Sequence, residues 1–140
     1  SETLGYSIVH QDKRFTLLTD LGYICETAAE YIKLSNHLVI EANYDTEMLN
    51  KSAYPPYLRE RIDGKKGHLS NQETALFLSE NYSPLLENIF LCHLSKNNNT
   101  AELAYHTVKD ALESKNILIN KNLKLEVLPR TQPSECFILQ

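Results

Sequence analysis

The sequence predicts an α/β domain with a mixed sheet, and two observations carry this prediction. Short apolar segments typical of strands occur at 6–10, 15–18, 37–42, 89–92 and 123–128. Between them, apolar residues recur at helical spacing, most clearly at 24–34 and 101–115. Strands that alternate with helices are the pattern of an α/β sheet. A length of 140 residues suits one compact domain.

Local signals place the elements of the first half. Strands 6–10 and 15–18, separated by polar residues 11–14, predict a hairpin. A helix near 24–34 and a buried strand at 37–42 follow. Residues 45–63 predict two short helices, the first capped by Asp45 or Thr46 and the second with Pro56 in its first turn.

The second half begins with a tight basic turn between Gly64 and Gly67. Ser70 and Glu73 then form a capping-box pattern for a helix that extends to Glu80. Strand 89–92, a loop at 97–99 and helix 101–115 come next, followed by strand candidates at 123–128 and 136–139. The apolar stripe predicted for the last helix comprises Leu103, Ala104, Val108, Ala111 and Leu112. The predicted order is β-β-α-β-α-α-α-β-α-β-β.

Composition and charge indicate the binding partners and the cellular compartment of the protein. The net charge is −4, so no basic excess indicates a nucleic-acid-binding surface, although a metal cluster can supply local positive charge. Three widely spaced cysteines argue against a disulfide framework and favour a reducing compartment. No apolar run approaches the roughly 18 residues of a membrane helix, and the N-terminus has no signal-peptide pattern. We therefore expect a cytoplasmic protein without membrane contact.

Four ionisable residues are candidates for a metal site. Asp20, Glu41 and His93 each stand at the C-terminal end of a predicted strand, where open α/β sheets place their sites. His68 lies between Gly67 and a helix N-terminus. Two carboxylates and two imidazoles at one sheet edge suit a divalent cation.

Each candidate also has a purely structural interpretation. Asp20 can be a turn residue or a helix cap, and Glu41 can be a buried carboxylate with a structural partner. His68 can cap a loop, and His93 can be a hydrogen-bonded core residue. The remaining histidines, His10, His37 and His106, are expected at the surface or at an edge. On spacing alone, the sequence predicts an α/β domain with a candidate site.

The motifs around these residues resemble a known family. They are, in order, TDLG at 19–22, EANYD at 41–45, EML at 47–49, YP at 54–55, LRERI at 58–62, GHLSN at 67–71, LCHLS at 91–95 and NNN at 97–99. TDLG alone is unspecific, but the ordered set resembles the C-terminal half of YycJ/WalJ-type metallo-β-lactamase-fold proteins, relatives of RNase Z. The resemblance extends from about residue 5 to the end of the chain.

The resemblance implies a fold and a site. The fold would be the C-terminal half of an αββα sandwich, with helices on one face of a mixed sheet. Two divalent metals, Zn²⁺ or Mn²⁺, would lie at the edge of the sandwich, with Asp20 bridging them and His93 binding the second. Glu41 and His68 would act together as catalytic residues that hold the scissile phosphate and pass a proton to the leaving oxygen.

Two further residues are candidate substrate contacts. Lys66 precedes Gly67 and His68, and Ser95 follows the strand that carries His93. The alternative for Lys65 and Lys66 is that they are solvated loop lysines. Whether residues 50–66 form a substrate lid stays open at this stage.

Two departures from the family pattern matter. The principal metal motif, HxHxDH, and the next ligand histidine are absent, because both belong to the N-terminal half. We therefore expect residues 1–140 to be a single partial domain that binds metals weakly or not at all and is inactive alone. Its apolar sheet face would be exposed and would drive self-association. The second departure is Tyr44, where close relatives often carry His, which leaves a polar role for this position open.

The intact protein is expected to be a dinuclear phosphodiesterase, specifically a nuclease acting on nucleic acid with a metal-activated water. One alternative is a hydrolase of a small cyclic phosphodiester or another small ester. The Glu41/His68 pair favours phosphodiesters over lactams, because proton donation suits an alkoxide leaving group. A second alternative is a non-catalytic interaction module.

Overall fold

The computed structural model describes residues 3–140 and contains ten helices and strands in that range. In chain order these are β1 (Tyr6–His10), β2 (Lys13–Leu18), α1 (Glu26–Leu34), β3 (His37–Glu41), α2 (Thr46–Asn50), α3 (Pro56–Asp63), α4 (Asn71–Glu80), β4 (Asn88–Cys92), α5 (Ala101–Glu113) and β5 (Lys124–Val127). The order agrees with the sequence prediction except at the last strand. The α/β class with a mixed sheet is confirmed.

The five strands form one sheet in the order β1-β2-β3-β4-β5. β1 and β2 are an antiparallel hairpin, and β2 to β5 run parallel to one another. The carboxyl ends of β2, β3 and β4 therefore meet at one edge. This topology brings together the residues that end or follow these three strands.

The hydrophobic core lies on one face of the sheet, beneath α1, α4 and α5. Alternate residues of the parallel strands point into it, and α5 contributes a stripe at helical spacing. Leu103 was predicted to belong to this stripe but is 39% exposed and lies outside the buried part of α5. The fully buried core residues include Leu38, Ile40, Ile89, Leu91, Ala104, Val108 and Leu112.

Helix ends near the sheet edge follow the sequence signals. The Asp45 carboxylate accepts a hydrogen bond from the main-chain N–H of Met48 and so caps α2. α3 begins at Pro56, as expected from its fixed φ. Ser70 and Glu73 form a complete capping box at the start of α4. These caps fix the loops that carry the candidate site.

The strand predicted at 136–139 is wrong. This segment forms no strand and packs instead on the second face of the sheet, where the rings of Phe137 and Phe90 lie 4.9 Å apart. Of its residues only Phe137 is partly buried, whereas Cys136, Ile138 and Leu139 are exposed, so the apolar pattern indicates neither strand pairing nor burial of the whole segment. Leu139 borders a cleft on this face together with Ile8 and His37.

His37 is likewise not a surface or edge residue, since only 3% of it is exposed. It begins the central strand, and its Nδ1 lies 2.9 Å from the side-chain amide of Asn88. Burial lowers the pKa of His37, so it is a neutral core residue.

The second sheet face is only partly covered. The C-terminal segment packs over Phe90, whereas Tyr6 and Ile8 of the edge strand are 60% and 61% exposed. Both side chains point to the same face, because residues two apart in a strand share a side.

Within residues 3–140, no helix combines the length and apolar character needed to cross a membrane.

Candidate metal centre

The four candidate residues converge at the carboxyl edge of the sheet. Ligand atoms of Asp20, Glu41, His68 and His93 all lie within 4.8 Å of one another. Asp20 follows β2, Glu41 ends β3, His93 follows β4, and His68 comes from the turn before α4. Four separate stretches of chain thus meet in one cluster.

Glu41 is the centre of the cluster and is completely buried. Its Oε1 lies 2.6 Å from His68 Nδ1 and 2.8 Å from His93 Nδ1. Its Oε2 accepts the main-chain N–H of Leu21 at 3.1 Å. Both carboxylate oxygens are therefore occupied within the protein, and the two imidazoles share one of them.

This arrangement fixes the protonation of the cluster. Burial acts to raise the pKa of Glu41, but hydrogen bonds to His68 and His93 and their charge outweigh it, and the net pKa is lowered. The bond to Glu41 raises the pKa of His93, against the effect of burial. An ionised carboxylate only accepts hydrogen bonds, so both Nδ1 atoms carry a proton. In a neutral imidazole, Nε2 then presents a lone pair.

Asp20 closes the cluster on its open side. Its Oδ1 lies 3.5 Å from His93 Nδ1 and 3.7 Å from His68 Nδ1. The side chains of Asp20, His93 and His68 are 62%, 44% and 30% exposed, whereas that of Glu41 is 0% exposed. Glu41 is thus the buried floor of the site, and the other three face solvent.

Two cluster residues have left-handed backbone conformations. The φ angle is 58° at Asp20 and 59° at His93, the residues that follow β2 and β4. Such angles are uncommon outside glycine, although Asp and His adopt them more readily than most, and they concentrate at functional sites. The Asn43 side-chain amide donates to the His93 carbonyl at 2.6 Å and so supports the turn.

Close backbone contacts explain two glycines of the motifs. A Cβ at Gly22 would lie 2.0 Å from the Lys65 carbonyl oxygen, and one at Gly67 would lie 2.1 Å from that of Ile62. Only glycine allows these approaches. The TDLG loop therefore packs directly on the 64–67 turn, which places Asp20 beside His68.

Tyr44 has a polar role that the sequence left open. Its side chain is fully buried and its hydroxyl hydrogen-bonds to the Asp63 carboxylate. Its carbonyl accepts the main-chain N–H of Asn71 at 2.8 Å. Asp63 and Asn71 flank the segment that carries His68. The hydrogen bonds of Tyr44 therefore hold both ends of this segment against the loop that follows β3.

The asparagine run is a loop, as predicted, but it is also a buried polar network. Asn98 and Asn99 are buried, and Asn99 exchanges side-chain hydrogen bonds with Asn71 at 2.8 and 2.9 Å. The same side chain binds the carbonyls of Ala42 and Asn43. The sequence analysis did not predict this network. The only sign of it in the sequence was the run of three consecutive asparagines soon after His93.

The two candidate substrate contacts differ in position. Lys66 borders an open cleft of about 590 Å³ together with Asp20 and His68. Ser95 belongs to the neighbouring loop, where its N–H donates to the Asn43 carbonyl at 2.7 Å and its hydroxyl accepts the N–H of Asn98. The structure thus brings Lys66 to the cluster and gives Ser95 hydrogen bonds within the supporting loop.

The donor set fits part of a divalent-metal site. Exposed carboxylate oxygens of Asp20 and imidazole nitrogens of His93 are ligands that Zn²⁺ and Mn²⁺ accept. Burial raises the pKa of the adjacent Cys92 thiol to about 12, so this cysteine is protonated at neutral pH. Asp20 and His93 offer two such donors, fewer than the four ligands of a closed tetrahedral zinc site.

Comparisons with known proteins agree with this fold and these motifs. The chain is 30% identical over 135 residues to exodeoxyribonuclease YycJ of Bacillus anthracis, covering 96% of the chain and 51% of that protein. It is 35% identical over 120 residues to exodeoxyribonuclease WalJ of Streptococcus pneumoniae D39, covering 86% and 45%. The chain thus spans about half the length of the curated relatives it matches.

The fold has a counterpart among solved structures. The metallo-β-lactamase-fold protein YhfI of Bacillus subtilis superposes with a TM-score of 0.56 at 11% identity, over 88% of this chain and 40% of that one. No protein-family model matches the chain. In sequence the chain is similar to YycJ/WalJ-type proteins over about half of their length, and it has the metallo-β-lactamase fold.

Proposed function

We propose that this chain supplies the C-terminal part of a cytoplasmic, divalent-metal-dependent phosphodiesterase that hydrolyses DNA. The observation that carries the proposal is the cluster of Asp20, Glu41, His68 and His93 at the sheet edge. The names of the relatives, both exodeoxyribonucleases, support DNA as the substrate class.

Asp20 and His93 would hold the metal ions, Asp20 through its exposed carboxylate and His93 through Nε2. The chain's own contribution to their placement is Glu41, whose hydrogen bond to Nδ1 turns the lone pair of His93 outward. Two divalent ions, Zn²⁺ or Mn²⁺, would supply Lewis-acid polarisation of the phosphate and lower the pKa of an attacking water.

His68 is proposed as the proton donor to the leaving oxygen. His68 Nδ1 lies 2.6 Å from Glu41 and hydrogen-bonds to it, which leaves Nε2 as the nitrogen that would pass a proton to the leaving oxygen. After transfer, the imidazole stays protonated at Nδ1 and hydrogen-bonded. Glu41 is buried and acts through the two imidazoles, and Lys66 beside His68 would contribute positive charge for the phosphate.

The 140-residue chain alone should not hydrolyse DNA, because its cluster offers too few metal ligands. The test is release of nucleotides from single-stranded DNA, RNA and a cyclic nucleotide with added Mn²⁺ or Zn²⁺. The protein expressed from the whole reading frame that encodes this chain should act on DNA. In that protein, His68→Asn should lower kcat by about 10² to 10⁴.

The matched control for that assay is His106→Asn, an exposed histidine on α5, which should leave kcat unchanged. Robust hydrolysis by the 140-residue chain would contradict its expected inactivity. Preference for the cyclic nucleotide would replace DNA as the substrate. Absence of an in-frame HxHxDH motif would favour the non-catalytic module.

We further propose that the 140-residue chain self-associates through the uncovered part of its second sheet face. Tyr6 and Ile8 expose apolar surface there on an edge strand. Sedimentation velocity should show dimers or larger species that Ile8→Ser shifts toward monomer. Leu76→Ser, at an exposed position on α4, is the control that should not shift the distribution. A clean monomer of the unmodified chain at all concentrations would refute this expectation.

A further inference from the structure

We propose that a second cleft, bounded by β1, β2 and α1, binds the sugar-phosphate backbone of the DNA strand that leads to the metal centre. This inference rests on the proposed function for its ligand. The cleft has a volume of about 390 Å³, and its lining includes Thr3, Ser7, Arg14, Thr27 and Tyr31.

The cleft is continuous with the candidate metal centre. Thr3 lines both this cleft and the open cleft that contains Asp20, Lys66 and His68. The Thr3 hydroxyl also donates to the Asp20 carbonyl at 3.2 Å. A ligand too long for the cluster alone can therefore extend past Thr3 into the adjoining cleft toward Arg14.

Arg14 gives the cleft its charge. Its guanidinium donates to the Ser7 hydroxyl at 2.7 Å and lies 5.4 Å from the centre of the Tyr31 ring. Within residues 3–140, no carboxylate oxygen lies within 4.0 Å of it, so its charge is held in place without a paired anion. A fixed guanidinium with free N–H donors is a site for a phosphate.

The spacing of charge along the surface favours a polyanion over a single ion. Lys65 and Lys66 lie in the cleft at the metal centre, and Arg14 lies beyond Thr3. The overall charge of −4 makes this basic path a local feature rather than a property of the whole surface. A DNA strand carries one phosphate per nucleotide and matches basic side chains placed in succession.

Other groups in the cleft also suit a nucleic-acid strand. Ser7 and Thr27 offer hydroxyls to phosphate or sugar oxygens. Tyr31 is 41% exposed and lines the cleft, where its ring can stack on a base. None of these contacts reads base identity, so binding should be independent of sequence.

The experiment measures binding without catalysis. A fluorescein-labelled single-stranded oligothymidylate is titrated with the 140-residue chain in EDTA, and anisotropy reports the Kd at several salt concentrations. Arg14→Gln should weaken binding about tenfold and reduce the slope of log K against log salt by about 0.7, the value for one single-strand phosphate contact. Arg130→Gln, in the exposed C-terminal segment, should change neither.

A second variant guards against misfolding of Arg14→Gln. Thr27→Glu places an acid in the first turn of α1, where a negative charge favours the helix, so the fold should be retained while phosphate is repelled. Its control is Ala101→Glu, at an exposed position in the first turn of α5. We expect about a tenfold loss of affinity for Thr27→Glu and less than about a twofold change for Ala101→Glu.

Two results would overturn the inference: no oligonucleotide binding by the unmodified chain, or equal losses in the cleft variants and their controls. Binding that depends on Arg14 and Thr27, together with no DNA hydrolysis by the full reading-frame product, would support the cleft and reject the proposed activity. Failure of the DNA-binding cleft and failure of the proposed hydrolytic activity therefore give different results.

Discussion

Replacement of Asn99 by Ala should cost about 3–5 kcal/mol of folding free energy, an unusually large effect for a loop residue. The Asn99 amide group donates to the carbonyl oxygens of Ala42 and Asn43 at 2.9 and 3.1 Å and to Asn71 Oδ1 at 2.9 Å. Its own oxygen accepts from Asn71 and from the Thr100 N–H. Truncation leaves the buried Asn71 amide oxygen and NH₂ group and the Ala42 carbonyl without these partners, each costing about 1–3 kcal/mol, whereas the Asn43 carbonyl keeps its bond from Ser95 N–H.

Urea unfolding followed by circular dichroism measures this change, since the chain has no tryptophan. Asn97→Ala is the matched control from the same asparagine run. Asn97 is exposed and its side chain donates only to the Tyr54 hydroxyl, so its loss should cost less than about 1 kcal/mol. Equal effects of the two substitutions would show that the network does not stabilise the fold.

The same network couples stability to the site. Asn43 receives a hydrogen bond at its carbonyl from Asn99 and donates one from its side chain to the His93 carbonyl. Loss of Asn99 should therefore disturb His93 as well as the loop. A histidine NMR signal that shifts in Asn99→Ala but not in Asn97→Ala would report this coupling.

Local patterns in the sequence predicted most of the fold. The caps at Asp45 and Ser70 and the start of α3 at Pro56 depend on neighbouring residues alone, so they were readable without tertiary information. The strand predicted at 136–139 was wrong because a short apolar run shows neither whether the backbone pairs with a strand nor whether the side chains are buried, and here only Phe137 packs on the sheet. Burial of His37 similarly depends on packing contributed by distant residues.

The sequence predicted which residues form the candidate site, but not the hydrogen bonds and packing contacts between them. Parallel strands bring Asp20, Glu41 and His93 to one edge, which follows from the α/β pattern. That His68 and His93 share one oxygen of Glu41 depends on distances that no spacing encodes. The need for Gly22 likewise becomes apparent only where the TDLG loop meets the 64–67 turn.

Glu41→Gln should be the most damaging conservative substitution in the cluster. An amide has one accepting oxygen and one donating NH₂ group, whereas both oxygens of Glu41 accept hydrogen bonds. If the NH₂ group takes the place of Oε2, it faces the N–H of Leu21; if it takes the place of Oε1, it faces the Nδ1 protons of His68 and His93. Either orientation places two donors in contact, and we expect a loss of about 2–4 kcal/mol.

The loss should depend on pH in a defined way. The raised pKa of His93 contributes stability that is complete below its ordinary value of 6.5 and disappears as pH rises through the folded-state pKa. The lowered pKa of Glu41 contributes stability that is complete above 4.5 and disappears as pH falls through its folded-state pKa. Both contributions are present between these values, so the cost of Glu41→Gln should be greatest there.

Urea midpoints measured from pH 4 to pH 9 test this profile, with Glu126→Gln on the exposed side of β5 as the control expected to change stability by less than about 0.5 kcal/mol. Nitrogen-15 NMR of the imidazoles gives an independent readout. In the unmodified chain, neutral His68 and His93 should carry their protons on Nδ1, and in Glu41→Gln at least one should shift to Nε2 while the pKa of His93 falls. Unchanged tautomers would mean that Glu41 does not orient the two imidazoles, and its role in the proposed metal centre would have to be abandoned.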